Sequence, residues 1–239
     1  LREAFLAQEK IPDDLLPEPL TSETVPSSQP KQPKFRPVSF VDGDTIFFTT
    51  VFNNTNAGSL SDKLMAFDDK RVAAKKKNKK IMPRSPLIYI HSPGGSWASM
   101  QLIKSRMEQL AHKRIDSFVS GEAVSCGGLL SNSVASTGGK RFIAPTAQIM
   151  THEGSSTVGG APPSYQTTLD YLNQADTGML QLLSDATGRN VDGIRDDYRH
   201  NSYYNAVEAL MYSENGLADC MMVSATTGVS RQDLSLIHI

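Results

Sequence analysis

Apolar positions along the chain fall into two kinds of run, and the two kinds alternate. IFFTTVF (46–52) is β-branched and aromatic, which predicts a strand. LSDKLMAF (60–67) then puts Leu60, Leu64 and Phe67 on one face of a helix. LIYIH (87–91) is short and nearly continuous, as a strand buried on both faces is. After SPGGS (92–96), Met100, Ile103, Met107 and Leu110 recur at helical spacing. The same exchange continues with a strand at IDSFVSG (115–121), a helix at SCGGLLSNSVAS (125–136) and a strand at AQIMTH (147–152). A long helix over 164–188 carries Leu169, Leu172, Met179 and Leu183. Asn205 with Glu208 three positions on predicts a capping box that opens NAVEALMY. Strands alternating with helices imply right-handed βαβ units and a parallel sheet. The chain shows no internal repeat.

Residues 1–37 stand outside this pattern. Seven prolines between Pro12 and Pro37, among polar residues, predict an extended, disordered arm, with order beginning near Val38. The ordered domain is expected over 38–230, and 231–239 reads as a tail that fits no element. KKKNKK (75–80) reads as a solvated loop between a helix and a strand; the sharper reading, a patch for an acidic partner or nucleic acid, lacks interleaved aromatics.

Composition narrows the classes. With 239 residues and 24 Lys+Arg against 25 Asp+Glu, the charge gives no reason to expect nucleic acid. The apolar runs are too short to span a bilayer. Two cysteines, Cys126 and Cys220, make no disulfide framework, so a reducing, cytoplasmic compartment is expected. The first residue is Leu1, and no charged-then-apolar signal opens this end.

In parallel sheets, functional residues gather where strands end and helices begin. Here three successive strand ends carry the Gly94-Gly95 pair, Ser125 before its helix, and His152. Serine chemistry needs a base within reach and donors aimed at a developing oxyanion. Glycines let backbone N–H groups approach closely, and a helix N-terminus adds its positive end. Each feature has a plain alternative: packing at Ser125, a turn at Gly94-Gly95, a structural histidine at 152. Cys126 beside Ser125 is a second candidate nucleophile.

Taken together, LIYIHSPGGS, GEAVSCGGLL, GGKRFIAPTAQIMTHE and NAVEALMYSENGLAD resemble, in order and spacing, the proteolytic subunit of the Clp protease (the ClpP family of serine peptidases). The resemblance covers roughly residues 38 to 223. It implies an α/β fold of ClpP/crotonase type, a spiral of βαβ units with a protruding long helix over about 163 to 186. It implies Ser125 as nucleophile, His152 as base, and an oxyanion hole from the backbone of Gly95, with Gly94 beside it, and Cys126. The third member of the family's triad is an aspartate, and the matching position here holds Asn201. Nearby Asp196 and Asp197 are the alternative partners for His152.

The resemblance further implies peptide-bond hydrolysis through an acyl-enzyme, protein or peptide substrates, stacked homo-oligomeric rings and a hexameric ATPase partner, without metal or cofactor. The Pro-rich arm, the basic run and the extra residues around Ser213–Asn215 point to a divergent branch. Three rivals stand beside this reading: a crotonase-like acyl-CoA enzyme, a Ser-Lys peptidase using Lys140, and a structural ring subunit whose catalysis is impaired by Asn201.

Overall fold

The computed structural model describes residues 35–36, 45–78, 85–111, 114–156 and 162–222. Most of the expected arm, the 231–239 tail, and Lys79 and Lys80 lie outside those residues. In chain order the elements are β1 (Phe35–Arg36), β2 (Thr45–Phe48), α1 (Asn54–Lys77), β3 (Leu87–Ser92), α2 (Trp97–Gln109), β4 (Asp116–Val124) and α3 (Cys126–Ser133). A 3₁₀ turn (Val134–Thr137) follows, then β5 (Arg141–Ile143), β6 (Gln148–Thr151), α4 (Pro162–Thr187), α5 (Val191–Tyr198), β7 (Ser202–Asn205), α6 (Ala206–Met211) and β8 (Cys220–Met222).

Parallel strands pair in the order β1-β8-β5-β4-β3-β2. The long strand β4 divides the sheet. Its first half, Ser117–Val119, pairs with β5, and its second half, Glu122–Val124, pairs with β6. β7 is the antiparallel member, running back along β6. Because β3, β4 and β6 are parallel neighbours, the segments that leave their C-terminal ends emerge together.

Side chains alternate between faces with the strand period of two. Ile88, Ile90 and Val119 face the main core, where Leu60, Leu64, Ile103, Leu129 and Leu183 from four helices meet them. Leu87, Phe118, Phe142, Cys220 and Met222 form a smaller cluster. Arg141 is buried and makes an unusually full set of bonds. It pairs with Asp219 at 3.1 Å and donates to Asn132 Oδ1 and to the carbonyls of Asn215 and Gly216. A buried guanidinium is tolerated only when its donors are satisfied. Here they tie β5, α3 and the segment leading into β8 to one another.

Several expectations change in detail. The strand expected over 46–52 stops at Phe48, although Phe52 makes an isolated bridge to Gly95. The helix around Leu60 is much longer: Asn53 caps it by accepting the Asn56 N–H at 2.9 Å, and it runs on through Lys77. Lys75–Lys77 are thus helical, not loop; three cations in the last turn suit the negative end of the helix dipole. Residues 35–36, assigned to the arm, pair with β8 in the sheet. β7 and α5 were not foreseen. The capping box at Asn205 and Glu208 is present in full.

Candidate active site

Ser125 occupies the step from β4 to α3. Its backbone has φ 55° and ψ −120°, and it is the one non-glycine residue with positive φ among the described residues. Such a conformation costs on the order of 1–3 kcal/mol and persists only when its surroundings enforce it. They do: the Ser125 N–H donates to the Met150 carbonyl at 2.9 Å, and its own carbonyl accepts the Leu129 N–H at 3.1 Å. A serine at a helix start ordinarily caps with its hydroxyl. Ser125 makes no such bond, so its Oγ is not spent on the helix. A strained strand-to-helix turn that lifts a serine hydroxyl out of the fold is the arrangement of a nucleophile elbow.

The glycine pair lies against this turn. A Cβ on Gly94 would come within 2.7 Å of both Ser125 Cβ and the Val124 carbonyl, and one on Gly95 within 2.5 Å of the Phe52 carbonyl. Their φ values, 93° and 137°, also exclude other residues. The Phe52 N–H donates to the Gly94 carbonyl at 2.8 Å, and the Ser96 N–H donates to the Phe52 carbonyl at 2.9 Å. That pattern uses the peptide groups on either side of Gly95 and leaves the Gly95 N–H on the opposite edge. The Gly94 N–H is spent on Ser92 Oγ at 3.2 Å. Cys126 is the first residue of α3, so its N–H has no acceptor within the helix. Gly95 and Cys126 therefore offer the free amides, and Gly94 supplies shape instead of a donor.

The Cys126 side chain is not a competing nucleophile. Its thiol is buried and donates to the Gly95 carbonyl at 3.2 Å. Burial pushes its pKa up to about 11, so it stays a neutral thiol at ordinary pH.

His152 follows directly on β6 and is half-buried. In the β6–β7 ladder Thr151 pairs with Ser202. The ladder ends with that pair, and His152 and Asn201 are the residues that directly follow β6 and directly precede β7. Asn201 is exposed. The neighbouring aspartates are engaged elsewhere. Asp197 Oδ2 binds Arg189 at 2.6 Å and accepts the Tyr212 hydroxyl at 2.9 Å, while the Arg189 guanidinium stacks 5.0 Å over the Tyr212 ring. Asp196 is exposed and lies 3.8 Å from Arg199. Two bonds steady the segment after His152: the Glu153 N–H donates to the Tyr198 carbonyl, and the Gly154 N–H to Asp176 Oδ1 at 2.8 Å.

Lys140 sits at the opposite end of the sheet, where its N–H donates to Asp116 at the start of β4. Nine residues of strand separate that point from Ser125, about 25–30 Å at the usual rise. It cannot serve as the base. Ser125, His152, Gly95 and Cys126 line one cleft of about 470 Å³, whose other wall includes Trp97 and Leu172. No cluster of potential metal ligands occurs among the described residues.

A family model described as Clp protease matches residues 38–225. The chain belongs to the Clp protease family. It is similar to the ATP-dependent Clp protease proteolytic subunit 1 of Leifsonia xyli subsp. xyli, 31% identical over 59% of this chain and 69% of that protein. It also matches subunit 2 of Rhodococcus jostii, 32% identical over 52% and 63%, and subunit 1 of Streptomyces coelicolor, 30% identical over 58% and 60%. The chain thus spans about two thirds of the length of these relatives. The match does not favour a crotonase-like acyl-CoA enzyme.

Of the residues the sequence singles out, the cleft brings together Ser125, His152, Gly95 and Cys126, while Gly94 and Asn201 do not line it. What sequence reading missed is the strain at Ser125 and the wall formed by Trp97. The run of small residues in GEAVSCGG was the available signal for the first, because a sharp strand-to-helix turn tolerates little bulk.

Proposed function

We propose that this Clp-family chain is a serine endopeptidase that cleaves peptide bonds through an acyl-enzyme on Ser125. The observation that carries the reading is the strained, uncapped Ser125 sharing a cleft with His152 and two free amides. Ser125 Oγ attacks the scissile carbonyl as His152 takes its proton. The Gly95 and Cys126 N–H groups hold the developing oxyanion, with the helix dipole of α3 behind them. His152 then protonates the leaving amine, and a water molecule activated in the same way releases the acyl group. No cofactor enters these steps.

Asn201 is the third member in this reading. Its amide oxygen accepts the hydrogen on the inner nitrogen of His152 and so holds the useful tautomer. It supplies no negative charge to the imidazolium; the about 10⁴-fold loss that a serine protease suffers when this aspartate becomes asparagine comes from the wrong tautomer, so with the tautomer held the loss here is the smaller part due to charge. The enzyme is accordingly a slow one. Exposed Tyr165 and Leu169 on α4 support stacked homo-oligomeric rings, and the relatives' names, ATP-dependent Clp protease subunits, support protein substrates and an ATPase partner. No helix among the described residues is long and apolar enough to cross a membrane, in keeping with a cytoplasmic enzyme.

The test is a fluorophosphonate probe on the assembled protein. Expected is a single adduct on the Ser125 peptide, lost in Ser125→Ala and much slower in His152→Ala. Asn201 favours a second reading, a ring subunit without useful catalysis. Assembled particles that neither label nor cleave any peptide would establish it instead.

A further inference from the structure

Ser92 closes β3 and is fully buried. A serine hydroxyl has one hydrogen to give and two lone pairs to accept with. Ser92 gives its hydrogen to the Thr50 carbonyl at 2.6 Å. It accepts the Gly94 N–H at 3.2 Å. Its other side lies under the first turn of α3, where a Cβ on Gly127 would come within 3.0 Å of the Ser92 carbonyl oxygen and 3.3 Å of its Cβ. Three segments lean on one small side chain: the Thr50–Phe52 stretch, the glycine turn and the start of the nucleophile helix.

We propose that Ser92 is a positioning residue for the oxyanion hole, one that selects Gly95 over Gly94 as donor and sets its spacing from the Cys126 amide. The glycine turn carries three amides. Ser96 spends its N–H on the Phe52 carbonyl and Gly94 spends its own on Ser92. Only that of Gly95 is left to face the cleft. Glycines at φ 93° and 137° have no side chains to hold them there, so the constraint must come from outside the turn. Without the hydroxyl, the Thr50 carbonyl loses its donor and the Gly94 N–H its acceptor in a buried place, which is unfavourable for both. Rotation of the Gly94 peptide toward the cleft relieves the second, and it swings the Gly95 N–H away from the position the oxyanion takes. A hole works only when its donors stand within hydrogen-bond distance of that position.

The inference rests on the acyl-transfer reading, and the experiment separates the two. Peptide cleavage is followed in the wild type, Ser125→Ala, Ser92→Ala and Ser92→Thr. Expected is a loss in kcat of about 10- to 100-fold in Ser92→Ala, with KM changed by less than about threefold, since a misaimed donor costs less than a deleted one. Affinity for a peptide aldehyde, whose adduct puts an oxygen in the hole, falls by a similar factor. The acid limb of the pH–rate profile stays in place, because His152 is untouched. Ser92→Thr keeps the hydroxyl and recovers most of the rate. Wild-type kcat in Ser92→Ala overturns the proposal. So does an equal loss in both variants accompanied by a shifted acid limb, which marks general damage to the fold. If Ser92→Ala fails to assemble, Ser92→Cys, close in size but a weak acceptor, is read for the same pattern. A wild type that neither cleaves peptide nor labels at Ser125 sinks the acyl-transfer reading itself.

Discussion

The two halves of the cleft are built differently. On the nucleophile side, the N–H groups of Gly94, Ser96 and Ser125 and the carbonyls of Gly94, Gly95, Ser96 and Ser125 are each tied to a neighbour, and the strain at Ser125 is held by bonds at both ends of the residue. On the base side, His152 stands just past the end of a four-residue strand, and the exposed Asn201 just before the start of the antiparallel one. The carboxylate nearest in sequence to Asn201, Asp197, is held by Arg189 and Tyr212. In the proposed reading, attack and oxyanion stabilisation are provided for and stabilisation of the charged base is not, so the rate is expected to be limited at His152.

The largest effect expected from breaking this comparison is on the nucleophile side. Ser125→Ala should lower kcat by at least about 10³-fold with the fold retained, leaving what the oxyanion hole and binding sustain. Steady-state turnover of a fluorogenic peptide, beside circular dichroism, checks it.

Asn201→Asp should sharpen the comparison from the other side. Restoring a carboxylate at position 201 is expected to raise kcat by about 10-fold or more and to move the acid limb of the pH–rate profile upward, since a neighbouring negative charge favours the protonated imidazole. If Asp197 were the working partner instead, Asp197→Ala would abolish activity and Asn201→Asp would do nothing.

A smaller effect is expected where the base-side loop is anchored. Asp176→Ala removes the acceptor of the Gly154 N–H, two residues past His152. A drop in kcat of about 3- to 10-fold is expected, with Asp176→Asn close to wild type because its amide oxygen still accepts. Single-turnover kinetics with an activated ester would resolve it.

The smallest belongs to Cys126. In the proposed reading its backbone amide serves the hole and its thiol does not, so Cys126→Ala should keep kcat within about threefold of wild type. The pH dependence follows from the raised pKa. The folded chain holds the neutral thiol more tightly than the unfolded chain does, so this stabilisation is complete below pH about 9 and is lost as pH rises toward about 11. Iodoacetamide should therefore leave Cys126 of the native protein unmodified at pH 8. Rapid alkylation there, with loss of activity, would reopen the case for a cysteine nucleophile.

Much of the fold could be read from the chain because its strong elements obey simple periods. β3, α2 and β6 carry apolar residues at the spacing their burial demands, and the capping box at Asn205 is local chemistry. β7 was not legible: SYYN is polar and aromatic, half exposed, and is a strand because β6 offers it an edge. Likewise α1 runs through a basic stretch that reads as loop, since Leu60, Leu64 and the cap at Asn53 anchor the helix well before the lysines arrive. At the site, Ser125 and His152 were legible as residue types and strand ends, and Gly95, Cys126 and Asn201 through the resemblance; why the Gly95 amide is the one left over was not. Which amide of a glycine turn is spent depends on Thr50 and Phe52, some forty residues away in sequence and adjacent only in space.

The pairing of β8 with both β5 and β1 has a consequence for synthesis. A ribosome delivers the chain from its N-terminal side, so β5 emerges long before β8. Until Met222 has left the exit tunnel, β5 remains an open edge, with unpaired backbone groups able to take up any passing strand. β1 must wait as well, for a partner more than 180 residues downstream. Contacts of such separation form late and slowly. The nucleophile turn, built from neighbouring parallel strands, is assembled earlier, so a nascent chain would carry its reactive centre before its sheet is sealed.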